Sequence, residues 1–225
     1  MTASDSLSFR AVLASFDAEQ RRREWATDWS IVLLYRAPGL VLAWLFLRLG
    51  LLPTTVTLIG LGLSLALPLT AGVLPLSIAG IAVFALALAF QITDCADGTM
   101  ARASGQISAT GGRADFLVDM AHWGLLYVSL GLLADRTFGT AGLWSALGAT
   151  AGWMRLYART CNDAAAERPD DGSPKPPNPL IGFIAGLYGL IPFTALAPNL
   201  LHIWVIGLVI YSALDIADAL FNAFR

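Results

Sequence analysis

The chain alternates long apolar stretches with short polar clusters, and the stretches have the length of membrane spans. Residues 49–93 include no charged side chain in 45 positions, about twice the ~20 residues a helix needs to cross a bilayer core. Pro68, Gly72 and Pro75 in "LPLTAGVLP" punctuate this run, which divides it into a first span near Thr54–Thr70 and a second near Leu74–Ala96. "FLVDMAHWGLLYVSLGLLA" gives a third span, to Ala134, and "GTAGLWSALGATAGWMRLY" a fourth, Gly139–Tyr157. Residues 176–214 contain no Asp, Glu, Lys or Arg and break at Ala197–Asn199 into a fifth and a sixth. The pattern predicts an all-α fold, a polytopic membrane bundle of six transmembrane helices.

Two polar or mixed segments need separate treatment. "NDAAAERPDDGSPKPPNP", Asn162–Pro179, is rich in Pro, Asp and Gly and reads as an exposed loop. Ser30–Gly50 is long enough to span, but Arg36, Pro38 and Arg48 interrupt it, and Trp29, Tyr35 and Trp44 suit a membrane interface. Arginine placement separates the two readings. With six spans starting at Thr54, 13 of the 14 Lys and Arg residues fall on one side and only Arg136 lies opposite. If Ser30–Gly50 also crossed, Arg10 and Arg21–Arg23 would be stranded on the other face. The positive-inside rule therefore places both termini and the residue 94–119 region in the cytoplasm, with Ser30–Gly50 as an amphipathic helix in the interface. Residues 1–50 form an N-terminal cytoplasmic and interfacial segment, and 51–225 form the six-helix transmembrane domain.

Composition agrees. Hydrophobic residues make up 56% of the chain and charged ones 13%, and a mean hydropathy of +0.66 excludes a water-soluble domain with a large core. The net charge of −2 adds little, and nothing in the charge pattern calls for a nucleic-acid partner. Cys95 and Cys161 are too few and too far apart for a disulfide framework or a zinc site, so both are expected free and reduced. The N-terminus lacks the apolar core of a signal peptide and is expected to be retained. In a bacterium the chain would sit in the inner or plasma membrane.

Against this greasy background stand four acids. Asp94 and Asp97, at the end of the second span, are three residues apart; Asp115 and Asp119, at the start of the third, are four apart. On helices both spacings put side chains on one face, and neighbouring antiparallel helices let the pairs meet at one depth. Four carboxylates crowded at low dielectric repel strongly unless cations or protons neutralise them. With only oxygen donors on offer, the suitable cations are Mg²⁺ or Mn²⁺, one or two of them, rather than zinc. Such a site serves phosphoryl transfer. A lone Asp near a helix end is usually a solvating charge; four at helical spacing on adjacent helices point away from that. Gly98 lets a ligand approach the backbone, Ala101 is small and one turn on, Arg102 offers a planar donor fork for phosphate, and Gly111 and Gly112 precede the third span.

Asp94-x2-Asp97-Gly98-x2-Ala101-Arg102-x8-Gly111-x3-Asp115-x3-Asp119 resembles, at every fixed position and spacing, the signature of the CDP-alcohol phosphatidyltransferase family. "LLPTTVTLIGLGL" also looks like the family's first-span entry, with Thr54 where Asn is common. The resemblance implies transfer of a phosphate-bearing group from a CDP-linked donor, CDP-diacylglycerol above all, to the hydroxyl of an acceptor alcohol, with release of CMP. It implies that Asp94, Asp97, Asp115 and Asp119 hold two Mg²⁺ or Mn²⁺ ions, that Asp119 is also the general base, and that Gly98, Ala101, Arg102 and Gly111 hold the cytidine diphosphate. It further implies a homodimer in the bilayer. A phosphotransferase moving a CDP-linked small head group to a lipid acceptor shares the same signature. An aspartate-rich prenyltransferase leaves Gly98, Ala101 and Arg102 unexplained, and a transporter or inactive scaffold needs none of the spacings.

Other polar residues carry two readings each. Arg155 and Arg159 lie one turn apart and could bind a phosphate on the acceptor or anchor the fourth span; Arg113 could neutralise a phosphate. Asp215 and Asp218 share a face, as solvating charges, as partners of Arg155 or as groups that orient an acceptor. His122 could support Asp119 or simply pack with Trp123, and Thr93 could border the nucleotide or bond to its own helix. Cys95 is given no role.

Overall fold

The computed structural model describes residues 8–166 and 179–223, and among these every element is helical. Among the described residues, four short helices come first: α1 (Phe9–Ala14), α2 (Ala18–Thr27), α3 (Trp29–Leu34) and α4 (Arg36–Arg48). Side chains cap the first two. Ser8 accepts from the Ala11 N–H at 3.1 Å and Asp17 from the Gln20 N–H at 2.8 Å, each satisfying one of the free amide groups of a helix start. Then follow α5 (Pro53–Val73), α6 (Leu76–Ser104), α7 (Ala109–Phe138), α8 (Leu143–Ala166), α9 (Pro179–Gly186), 3₁₀ segments at Leu187–Leu196 and Pro198–Leu200, and α10 (Leu201–Ala223).

Among the described residues, four helical stretches are long and apolar enough to cross a membrane: Pro53–Val73, Leu76–Ser104, Ala109–Phe138 and Pro198–Phe221. Their outward faces carry exposed large apolar side chains, such as Leu58, Leu65 and Leu69 on α5 and Ile203, Ile206 and Ile210 on α10, the surface a helix needs where lipid is the solvent. Of the other two expected spans, α8 is a long helix but more polar, and Gly182–Leu196 is apolar but short. The stretch expected to form one interfacial helix is broken at Tyr35 into α3 and α4. Helices α6 and α7 also outrun their apolar cores. The second span was expected to end at Ala96, yet α6 continues to Ser104, and α7 begins at Ala109, ahead of Gly111 and Gly112. The expected loop Asn162–Pro179 lies largely outside the described residues; its first part, to Ala166, is the end of α8.

By their internal contacts the residues divide into two units, Met1–Ser64 with Leu86–Asp119 and Pro177–Ile191, and Leu65–Ala85 with Met120–Pro176 and Pro192–Arg225. In the first unit, Val12, Leu40, Leu47, Val56, Ala96 and Met100 bury a common core, and Ile31, Tyr35 and Cys95 bury a second. Gly39 of α4 lies so close to α6 that a Cβ there would come within 2.6 Å of Cys95 Cβ. A ten-residue 3₁₀ run is unusual, and polar side chains of α3 and its C-cap satisfy carbonyls of α9 and of the first turn of the run. Ser30 donates to the Gly186 carbonyl, Tyr35 Oη to the Gly189 carbonyl at 2.6 Å, and Trp29 Nε1 to the Phe183 carbonyl at 3.0 Å.

In the second unit α8 packs along α10. Gly131 and Gly148 let α7 and α8 approach until a Cβ on either would strike the other's backbone, the close packing small residues allow in membranes. Arg136, the one cation expected on the far side, donates to the Ala71 and Leu74 carbonyls, the latter at 2.7 Å, and so closes the C-terminus of α5.

Candidate active site

All four acids of the sequence pattern belong to the first unit. Asp94 and Asp97 lie on α6 and Asp115 and Asp119 on α7, the helical placement their spacing predicted. Oxygens of Asp94, Asp97 and Asp115 lie within 4.8 Å of one another. Asp119, one turn beyond Asp115, is outside that group of three. Asp97 is buried, with 5% of its surface exposed, and its Oδ2 accepts from Thr57 Oγ1 of α5 at 2.6 Å.

Three carboxylates this close in a mostly apolar setting suit a hard divalent cation: the donors are all oxygen, and charge neutralisation removes the repulsion between them. Thr57 fixes the rotamer of Asp97 in the way an outer partner fixes a metal ligand.

A cavity of about 290 Å³ adjoins the acids. Asp97 and Asp115 line it, and so do Gly98, Ala101, Arg102 and Gly111, the remaining fixed positions of the pattern. A Cβ at Gly98 would meet Arg102 Nη1 at 3.3 Å, so the missing side chain leaves room for the guanidinium over the helix. Arg102 donates weakly to Thr99 Oγ1 at 3.5 Å, and its buried Nε has no acceptor. The fork therefore has donors to spare for an anion entering the cavity. The cavity is bounded by α5 through Pro53, Thr54 and Thr57.

Sequence reasoning missed what stands behind α6. Arg36 of α4, 9% exposed, forms a two-pronged ion pair with Glu24 of α2, at 2.6 and 3.0 Å. Its Nη1 donates to the Cys95 carbonyl at 3.3 Å and to Thr99 Oγ1 at 3.5 Å. The same Thr99 hydroxyl donates to the Cys95 carbonyl at 2.7 Å. Arg36 thus braces the turn of α6 that carries Asp94 and Asp97 and touches the residue on which Arg102 rests. The only signal in the sequence was Arg36 itself, a charge inside an apolar stretch.

The remaining predicted residues do not line this cavity. Arg113 is exposed near the start of α7 and does not line the cavity. Arg155 belongs to the second unit, where it pairs with Asp215 at 2.7 Å and reaches Tyr211 Oη at 3.2 Å; Arg159, exposed, is in the same unit. His122 is fully buried edge-on to Trp123. Thr93 bonds to its own helix, at the Ala89 and Phe90 carbonyls. Cys95 is packed in the core with Ile31 and Tyr35.

The family model described as CDP-alcohol phosphatidyltransferase matches residues 50–211. Helices α1 to α4, with Glu24 and Arg36, precede the matched region. No curated protein matches the chain.

Proposed function

The chain belongs to the CDP-alcohol phosphatidyltransferase family, and from that premise we propose that it transfers a phosphatidyl group from CDP-diacylglycerol to the hydroxyl of a small polar alcohol, releasing CMP. The observation that carries this reading is the convergence of Asp94, Asp97 and Asp115 beside the cavity that holds Gly98, Ala101, Arg102 and Gly111.

Asp94, Asp97 and Asp115 would hold Mg²⁺ or Mn²⁺, two ions with Asp119 contributing, and when bound these supply Lewis-acid polarisation of the diphosphate. Arg102 takes a phosphate oxygen in its free donors, and Gly98, Ala101 and Gly111 leave the walls bare enough for the nucleotide to lie against the helices. Asp119 accepts the proton of the acceptor hydroxyl. The new bond joins that oxygen to the phosphorus bearing the lipid, the bond from this phosphorus to the CMP oxygen breaks, and the pair of electrons leaves with CMP. The assignment of Asp119 as the base follows the family signature, in which it comes one turn after Asp115 on α7. The apolar, exposed face of α5, which also forms a cavity wall, supports a donor whose tails stay in the bilayer.

The same reading takes residues 1–50 as a cytoplasmic segment with α3 and α4 in the interface, and 51–225 as a six-span domain in which α8 and Pro179–Leu196 join the four longer apolar stretches. It sets the acids and both termini on the cytoplasmic side and pairs two chains as a homodimer. Arg113, Arg155 and Arg159 would serve acceptors that carry a phosphate, with Arg155 first having to share Asp215.

The test is an assay of the purified chain with radiolabelled CDP-diacylglycerol, Mg²⁺ or Mn²⁺, and a panel of inositol, inositol phosphate, glycerol phosphate, serine and phosphatidylglycerol. A labelled lipid with one of these, together with CMP, is expected. No product with any of them, but product from a CDP-linked head group and a lipid acceptor, would reverse the donor assignment.

A further inference from the structure

The acids of the candidate site lie on α6 and α7, but a buried cation stands behind them on a helix that precedes the matched region. Arg36 of α4 and Glu24 of α2 belong to the first unit with the acids, and their side chains are only 10% and 16% exposed. All three nitrogens of the Arg36 guanidinium are engaged. Nε and Nη2 hold the Glu24 carboxylate, and Nη1 holds the Cys95 carbonyl in the turn between Asp94 and Asp97. The Phe16 ring covers the group, its centroid 4.9 Å from Cζ. Glu24 is held in turn, because its Oε1 also accepts from Gln20 Nε2 at 2.8 Å. A second guanidinium approaches from the cavity side: Arg36 and Arg102 both reach the Thr99 hydroxyl, at 3.5 Å. Asp94 lies close enough to Arg36 for their charges to attract.

A cation in this place has two effects of opposite sign on a neighbouring metal site. Its hydrogen bonds fix the α6 turn that carries two of the ligands, which helps the site. Its charge, buried and so poorly screened, opposes a divalent cation at the same carboxylates. Glu24 separates the two effects. We infer that Glu24 and Arg36 are a positioning pair for the metal site, in which Arg36 holds the ligand-bearing turn and Glu24 cancels the charge that would otherwise repel the divalent ion. The inference rests on the reading of Asp94, Asp97 and Asp115 as metal ligands. Arginine suits the task because its planar fork grips a carboxylate along one edge while its remaining nitrogen serves a carbonyl. An ion pair that merely fastened α2 to α4 would cost stability when broken, and metal affinity would not depend on which charge was left behind.

The experiment measures Mn²⁺ binding to the purified full chain without nucleotide, from the electron paramagnetic resonance signal of the free ion, with thermal midpoints as the check on folding. Binding that Asp97→Asn abolishes defines the site. Glu24→Gln keeps the shape of the side chain and leaves Arg36 uncompensated; it should weaken Mn²⁺ about 10- to 100-fold, the range for groups that support metal ligands. Glu24→Asp keeps the charge and should stay within about threefold of wild type. Glu24→Gln with Arg36→Gln removes both charges, a replacement that buried pairs tolerate, and should recover to within about fivefold. Where Glu24→Gln does not fold, Glu24→Ala, which leaves room for water beside Arg36, is read in the same way. Wild-type affinity in Glu24→Gln overturns the inference, and so does a double variant as weak as Glu24→Gln. If wild type shows no Mn²⁺ binding that depends on Asp97, the metal reading itself has failed and the inference falls with it.

Discussion

Asp97 and Asp135 are almost equally buried, with 5% and 7% of their surface exposed, and each sits on a long apolar helix. Asp135 is saturated. It accepts from Thr140 Oγ1 at 2.5 Å, from the Trp144 and Ser145 N–H groups at 3.0 and 2.8 Å, and from the Ser145 hydroxyl. Its four hydrogen bonds close the turn before α8 and cap that helix, as an acid at a helix start should. Asp97 has Thr57 on one oxygen, and its other near neighbours include two further carboxylates. Burial alone does not mark a functional acid. Whether the protein itself compensates the charge, or leaves that to something else, does.

The contrast can be broken by substitution. Asp94→Asn and Asp97→Asn should each lower CMP release by about 10³-fold or more, since several kcal/mol of charge stabilisation in phosphoryl transfer depend on the metal; radiolabelled turnover measures it, and a loss below tenfold would place the metal elsewhere. Asp119→Asn should cost about 10²- to 10⁴-fold, the range of a general base, while Mn²⁺ and CMP binding survive better than in Asp94→Asn. Activity equal to wild type would remove Asp119 from the chemistry. Thr57→Val takes away an outer partner of a ligand, and activity and Mn²⁺ affinity should fall about 10- to 100-fold. Asp135→Ala sits at the other extreme. It should cost about 1–3 kcal/mol of stability through unpaired buried donors, read as a lower thermal midpoint in detergent, with kcat of the folded protein unchanged. A catalytic loss in Asp135→Ala comparable to Asp97→Asn would erase the distinction.

The acids were legible in the sequence because spacings of three and four have one meaning on a helix, and because charge is conspicuous beside a long uncharged run. Helix ends were less so. Polar residues after Ala96 looked like the end of a span, but Met100, Ala101, Arg102 and Ala103 are good helix formers, so α6 outlasts its apolar core until Gly105 stops it. The reading of Ser30–Gly50 as a single helix failed at Tyr35, whose side chain is drawn to the Gly189 carbonyl far along the chain. Thr57 and the Glu24–Arg36 pair were invisible for the same reason. Their partners lie on other helices, and hydropathy does not record which polar side chains meet. Pairing of Arg155 with Asp215 is one of three readings the sequence allows, and only coordinates choose it.

The central claim is that the carboxylates of α6 and α7 work by holding divalent ions against a cytidine diphosphate. Release of CMP from CDP-diacylglycerol by the purified chain, before and after chelation with EDTA and again after Mg²⁺ or Mn²⁺ is restored, tests it most directly. The account predicts that release stops on chelation and returns with the metal in wild type, but not in Asp97→Asn. Release that continues undiminished after thorough chelation would contradict it.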